Sequence, residues 1–199
     1  MAKICIDPGH GGSDPGACGY GRQEKADVLS VALKVGALVA VKGHSEYYTR
    51  TNDNFESPYQ KAAEANSAGA DFFASFHRNA ALASAHGYET WVYSNTGKAK
   101  ACADRANSEM AAVGFANRGT KIGTDLIVLN STVMEAVLFE IGFITNEGDN
   151  NLFVSKFDAI CAGLANAILA AVGGGTVSGS DAGSGGAPEK IPTVPNVGG

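Results

Sequence analysis

The chain has no long apolar run. Its hydrophobic stretches are short and interrupted across all 199 residues, so none supplies the roughly 20 apolar residues of a membrane-spanning helix, and membrane insertion is not expected. It has no basic run longer than a residue or two, and its formal net charge is −5. Phosphate binding requires a concentrated cationic surface, so nucleic acid is not an expected partner. There is no Cys-x-x-Cys pair either. Cys5, Cys18, Cys102 and Cys161 are widely spaced, which disfavours a zinc site built from thiolates. The first residues, Met1-Ala2-Lys3-Ile4, lead into a strand without the apolar core of a signal peptide. The expectation is a protein made in the cytoplasm without a signal peptide, where disulfides are disfavoured as well. Cys5 and Cys161 then read as buried apolar residues. Cys18 lies in a Gly-rich loop close to His10, and a nucleophilic role there would want a dedicated base.

What is present fits one globular domain. Hydrophobic content is 45%, ordinary for a soluble fold, and the length allows a good core. Residues 3–173 alternate strand-like and helix-like segments. From Gly174 the composition becomes that of a linker, rich in Gly and Ser and followed by Pro188, Pro192 and Pro195. The expectation is a folded domain over 1–173 and a disordered linker or tail over 174–199.

Within the domain, hydrophobic patterning predicts strands over 4–6, 46–49, 72–76, 88–93, 125–129 and 135–139. It predicts helices over 24–41, 58–67, 98–113 and 153–172, with Ser57 as an N-cap and Gly43 as a C-terminal stop. Strand and helix in alternation give an α/β class: a mixed, largely parallel twisted sheet with helices on both faces, in a single domain. The short links beside Tyr88 and Glu135 account for some antiparallel pairing.

In open α/β sheets, ligands sit beyond the carboxyl ends of strands. His10 and His77 each follow a strand, Glu24 opens a helix, and Glu140 ends the run Val137-Leu138-Phe139-Glu140. Two imidazoles and a carboxylate can hold a catalytic Zn²⁺ with one position open, and a second carboxylate supplies a base. Each residue also has a plainer reading. His10 could cap a Gly-rich turn, Glu24 could be a solvated first-turn carboxylate favoured by the helix dipole, and His77 could be a satisfied buried histidine. Glu140 is the hardest to explain away, because a charge flanked by apolar residues on both sides is costly to bury without a partner. His44 reads as a surface histidine at the end of a helix. His86 reads as a loop residue facing solvent, or else touching substrate.

Four stretches, taken in order, resemble the zinc-dependent N-acetylmuramoyl-L-alanine amidases, the catalytic domains of phage endolysins and bacterial autolysins. They are Ile6-Asp7-Pro8-Gly9-His10-Gly11-Gly12 with Gly16 beyond it, Glu24 at a helix start, Ser75-Phe76-His77-Arg78-Asn79-Ala80, and Val137-Leu138-Phe139-Glu140-Ile141-Gly142-Phe143-Ile144-Thr145-Asn146. Thr49-Arg50 with Asp53, Ala65-Asn66 and Arg118-Gly119 look like the motifs between them. The resemblance covers residues 3–172.

The resemblance implies one Zn²⁺ per chain, bound by His10, Glu24 and His77, with Glu140 as catalytic acid/base. The implied substrate is the amide joining N-acetylmuramic acid to L-alanine in peptidoglycan, on which the protein would act after release from the cytoplasm, with a wall-binding module beyond the linker as a partner. Three positions depart from the usual pattern: Arg78 in place of a small residue, Glu135 in place of proline, and Lys61 in place of arginine. Arg78 reads as tuning substrate electrostatics or as facing solvent. Two other readings of the same residues are a zinc peptidase acting on peptide ends and a non-catalytic wall-binding module.

Overall fold

Residues along the central strands alternate between two cores, one on each side of a single sheet. In the computed structural model, which describes residues 1–181, six strands lie in the order β4 (Ser45–Tyr48), β1 (Lys3–Pro8), β5 (Phe72–Asn79), β8 (Ala136–Phe143), β6 (Tyr88–Val92) and β7 (Asn117–Ile122). The first four are mutually parallel. β6 runs antiparallel to β8 and parallel to β7. Ile4, Ile6, Phe72, Ala74, Phe76, Val137, Phe139 and Ile141 face the larger core, which is closed by α1 (Glu24–Val41), α3 (Gly97–Val113) and α6 (Phe157–Val172). Cys5, Phe73 and Leu138 face the smaller core under α2 (Pro58–Ser67) and the short α4 (Ile127–Asn130). A small hairpin of β2 (Cys18–Gly19) and β3 (Arg22–Gln23) leads into α1, and α5 (Glu147–Ser155) precedes α6. The result is the expected single α/β domain with a mixed, mostly parallel sheet and helices on both faces. Among the described residues, no single helix is long and apolar enough to cross a membrane.

Local chemistry explains the element ends. Val28, Val31, Ala32, Val35, Leu38 and Val39 are fully buried on one wide face of α1. Gly43, at φ 82°, lets the chain leave that helix. Ser57 and Gln60 form a reciprocal capping box at the start of α2, with Pro58 in its first turn. Glu135 accepts the Ala99 N–H at 2.7 Å and so caps the start of α3, which gives this departure from the usual proline a structural use.

Several expectations are corrected. Residues 125–129 do not form a strand. Ile127–Asn130 is a helical turn whose Val128 and Leu129 are buried together, and a short apolar run cannot distinguish these two states. The strand in this region is β7, whose polar residues Asn117, Arg118, Thr120 and Lys121 hide it from a hydrophobicity reading. The helix expected over 153–172 is two helices, α5 and α6, meeting at 83° around Lys156. β5 and β8 run past their expected ends to Asn79 and Phe143, so His77 and Glu140 lie within strands. His44 is buried, not on the surface, and its Nδ1 accepts the Ala2 N–H at 3.2 Å. Cys5 and Cys161 are buried as expected, as is Cys102, while Cys18 is exposed. After α6 the chain stays on the domain for a few residues. Val177 is buried and is bracketed by Asn166, which donates to its carbonyl at 3.1 Å and accepts its N–H at 2.7 Å. Residues 182–199 of the expected linker lie outside the described residues.

The capping box gives a direct test of this local reading. Ser57→Ala should lower the unfolding free energy by about 1 kcal/mol, measured as a lower urea midpoint with an unchanged slope.

Candidate metal centre

Strand alternation sends Asp7, Ser75, His77 and Glu140 to the side of the sheet that carries α2 and α4. In the register of the sheet, His77 on β5 stands beside Glu140 on β8, and Glu140 stands beside Glu89 on β6. His10 lies in the loop just past β1. Glu24, the first residue of α1, reaches over the end of the sheet from the other layer.

His10, Glu24 and His77 come together. One Glu24 oxygen, Oε1, lies 2.9 Å from His77 Nδ1 and 3.1 Å from His10 Nε2. One ligand atom from each of the three falls within 4.8 Å of the others. Donors bound tetrahedrally to zinc at about 2.0–2.1 Å stand about 3.3 Å apart, so this donor set has the spacing and the nitrogen–oxygen chemistry that suit the ion. The two rings meet edge to face, with centroids 5.0 Å apart.

Two glycines make this convergence geometrically feasible. A Cβ on Gly9 would sit 2.3 Å from His77 Cε1, and one on Gly16 would sit 2.7 Å from both Glu24 Oε2 and His10 Cδ2. His10 itself adopts φ 57°. A non-glycine residue pays for that conformation, and such strain gathers at functional sites.

The surroundings fix each side chain. His10 Nδ1 lies 2.8 Å from Asp14 Oδ2, which leaves Nε2 facing Glu24. The Arg78 N–H donates to Glu24 Oε1 at 2.9 Å, and the Ala17 N–H donates to Oε2 at 2.9 Å. Arg50 gathers the loop: its guanidinium donates to the carbonyls of Pro8, Gly9, Lys25 and Asn52 at 2.7 to 3.2 Å. Beneath lies a buried ion pair, Asp7 with Lys61 at 2.5 Å, which Thr49 and Ser75 complete by donating to Asp7.

Charge shapes the protonation of the site. Burial works against a charged His10, but the carboxylates of Glu24 and Asp14 outweigh it and push the ring's pKa up to about 9. Burial opposes ionisation of Glu24 too, yet hydrogen bonds from His10 and His77 hold its carboxyl well below the usual range. For Glu140 burial prevails and pushes its carboxyl up to about 7; His77 and His10 pull it down, while Glu24 and Glu89 push it further up. Its Oε2 is buried and accepts no hydrogen bond. A carboxyl poised near neutrality beside a cluster of donors suits proton transfer. A pocket of about 300 Å³ opens beside the two histidines, lined by His10, His77, Asp14, Phe55, Leu126 and Leu138 among others, with Glu24 and Glu140 outside its lining. A larger cavity of about 420 Å³, between Gly97, Val133 and Glu135, touches none of the four candidate residues.

Three residues fall outside the cluster. His86 bonds within its own loop, to the Ser84 carbonyl at 3.1 Å. Cys18 donates weakly to the Gly16 carbonyl at 3.8 Å. Arg78 neither faces solvent nor lines the pocket: it is fully buried on the opposite side of the sheet, paired with Asp27 at 2.6 Å. The alternation that aims His77 at the pocket turns its neighbour away. Asp14, Arg50 and Glu89 were not singled out for the site by sequence reasoning. Asp14 is visible in retrospect as a carboxylate four residues after His10 in a Gly-rich loop.

Comparison with known proteins points to one family. The family model described as N-acetylmuramoyl-L-alanine amidase matches residues 4–172. The sporulation-specific N-acetylmuramoyl-L-alanine amidase of Bacillus subtilis (strain 168) is 40% identical over 174 residues, covering 84% of this chain and 67% of that protein. The endolysin of Bacillus phage SPP1 is 38% identical over 163 residues, 75% of this chain and 58% of its own length. The solved N-acetylmuramoyl-L-alanine amidase from Clostridium difficile 630 superposes with a TM-score of 0.80 at 30% identity, covering 86% of this chain and 96% of that one. The catalytic domain of CwlV from Bacillus (Paenibacillus) polymyxa var. colistinus gives a TM-score of 0.78 at 31% identity, covering 85% and 97%.

The charge arrangement predicts the behaviour of the metal-free protein. Because the folded pKa of His10 is raised, its protonated ring contributes stability fully below the ordinary value of 6.5, and that contribution is lost as the pH rises through about 9. NMR titration of the His10 ring should show a step near 9, and saturating Zn²⁺ should abolish it. A step at the ordinary value would contradict the Glu24 and Asp14 contacts.

Proposed function

The chain belongs to the N-acetylmuramoyl-L-alanine amidase family, and from that premise we propose that it hydrolyses the amide between N-acetylmuramic acid and L-alanine in peptidoglycan, with one Zn²⁺ held by His10, Glu24 and His77. The observation that carries this reading is the gathering of two imidazoles and one carboxylate around a common centre, beside the Glu140 carboxyl, whose Oε2 is buried without a hydrogen-bond partner. When bound, zinc would polarise the scissile carbonyl and acidify a water.

The chain's own residues do the rest. Glu140 takes the proton from the attacking water and returns it to the departing alanine amine. Its carboxyl, raised to about 7, can hold or release a proton near neutral pH, and such acid–base help supplies about 10²–10⁴-fold in rate. Asp14 holds His10 in the orientation that presents Nε2. Gly9, which lines the pocket, adds no side chain to the approach. The apolar walls from Phe55, Leu126 and Leu138 limit water around the reacting amide. Glu89, held by Asn79, Trp91 and Arg118 at 2.8 to 3.2 Å, sets the electrostatic boundary behind Glu140.

Two sets of variants separate the assigned roles. Glu140→Gln should keep its zinc and lose about 10²-fold or more in turnover on purified cell walls; parent-level activity would remove Glu140 from the mechanism. His10→Ala and His77→Ala should instead lower the zinc content measured by elemental analysis. The bond is identified by its products: free alanine amino groups with intact glycan support the amidase, whereas new peptide termini further along the stem would point to a peptidase.

A further inference from the structure

We propose that Arg78 is a positioning residue that sets the register between the three segments bearing Glu24, His77 and Glu140; this rests on the reading that His10, Glu24 and His77 hold zinc. Arg78 follows His77 on β5, but strand alternation places it on the α1 face. There its side chain is among the largest fully buried ones in the protein.

Its polar contacts, one from the backbone N–H and two from the guanidinium, end at or near site residues. The Arg78 N–H donates to Glu24 Oε1 at 2.9 Å. Nη1 donates to Asp27 Oδ2 at 2.6 Å, and Asp27 lies three residues beyond Glu24 on α1, where i and i+3 share a face. Nε donates to the carbonyl of Ile141 at 3.1 Å, the residue after Glu140 on β8. The guanidinium lies over the Phe153 ring, 4.2 Å from its centroid. One planar fork therefore joins β5, α1 and β8 from behind, while their functional side chains converge in front.

Stability alone is a poor reason for this arrangement. A buried ion pair repays little more than its desolvation, and apolar side chains of the same volume often stabilise as much. What a guanidinium adds is direction, because its N–H groups are fixed in one plane. A ligand set needs its donors placed to about 0.5 Å. Glu24 sits at the first turn of a helix from a different layer than His77, so something must hold helix and strand in step. Arg78 does so through Asp27, which Arg22 also engages at 2.5 and 2.9 Å.

The test uses the full chain as parent, Arg78→Met and Arg78→Lys. In Arg78→Met, Asp27 keeps Arg22 as its partner, so the buried carboxylate stays compensated and the variant is expected to fold. Zinc affinity is measured by competition with a chromogenic chelator, and melting is recorded with and without zinc. The visible spectrum of the Co²⁺-substituted protein reports ligand geometry. Arg78→Met should weaken zinc binding by about 10–100-fold, the range typical of partners one step removed from a metal. It should also shrink the zinc-dependent rise in melting temperature and change the cobalt spectrum. Arg78→Lys, which can still reach Asp27, should recover part of the loss. If Arg78→Met proves insoluble, the lysine variant against the parent carries the same comparison. Unchanged zinc affinity and cobalt spectrum, with both melting temperatures lowered equally, would make Arg78 a packing residue and overturn the proposal. A parent that binds no zinc is a separate outcome, which overturns the metal reading itself.

Discussion

Burial of a single carboxylate organises this protein. Glu24 is 3% exposed, and its two oxygens are approached by both candidate histidine ligands and by the N–H groups of Arg78 and Ala17. A carboxylate stripped of water needs such company, because an unpaired buried charge is prohibitively costly. The requirement binds three distant parts of the chain: the loop after β1, the start of α1 and the middle of β5. None of them can move without leaving the charge uncompensated. The two imidazoles lie within hydrogen-bond reach of Glu24, and the same three donors would share a bound cation.

The neighbourhood repeats this device on both sides of the sheet. Asp7 with Lys61 anchors the end of β1 from the α2 side. Asp27, with Arg22 and Arg78, anchors the start of α1 from the other. Glu89 with Arg118 closes the β6 flank. Pairs of this kind supply little net stability, since desolvation consumes most of the Coulombic gain. Their value lies in fixing directions where apolar contacts would allow sliding. The apolar work is done elsewhere, by the alternating residues that fill the two cores, and the site sits at the rim where those cores give way to polar chemistry.

Glu140 carries a buried oxygen, Oε2, without a hydrogen-bond partner. Its place in mid-strand, between His77 and Glu89 in register, gives it a rigid mount and a dry setting. These two conditions keep a carboxyl protonatable near neutral pH and ready to exchange a proton with a bound water. An identical glutamate on a solvated loop would be ionised throughout and poorly aimed.

The sequence by itself determined the elements whose signals are local. The wide apolar face of 24–41, the Ser57-Pro58 cap, the apolar β5 run and the Gly-rich loop at His10 could all be read directly, and with them the α/β class and the four residues of the candidate site. Tertiary structure decided whatever depends on an element's neighbours. β7 is a strand because β6 offers it an edge, not because of its own polar residues. Ile127–Asn130 coils because both of its buried side chains must face the smaller core. His44 and Arg78 look like surface residues in one dimension and are buried in three, since a polar group enters the interior only where a partner awaits it. Asp27 and the Ile141 carbonyl are Arg78's partners only after folding. Spacing along the chain could suggest that His10, Glu24 and His77 have the right chemistry; only the packing of α1 across the end of the sheet places their donor atoms within reach of one another.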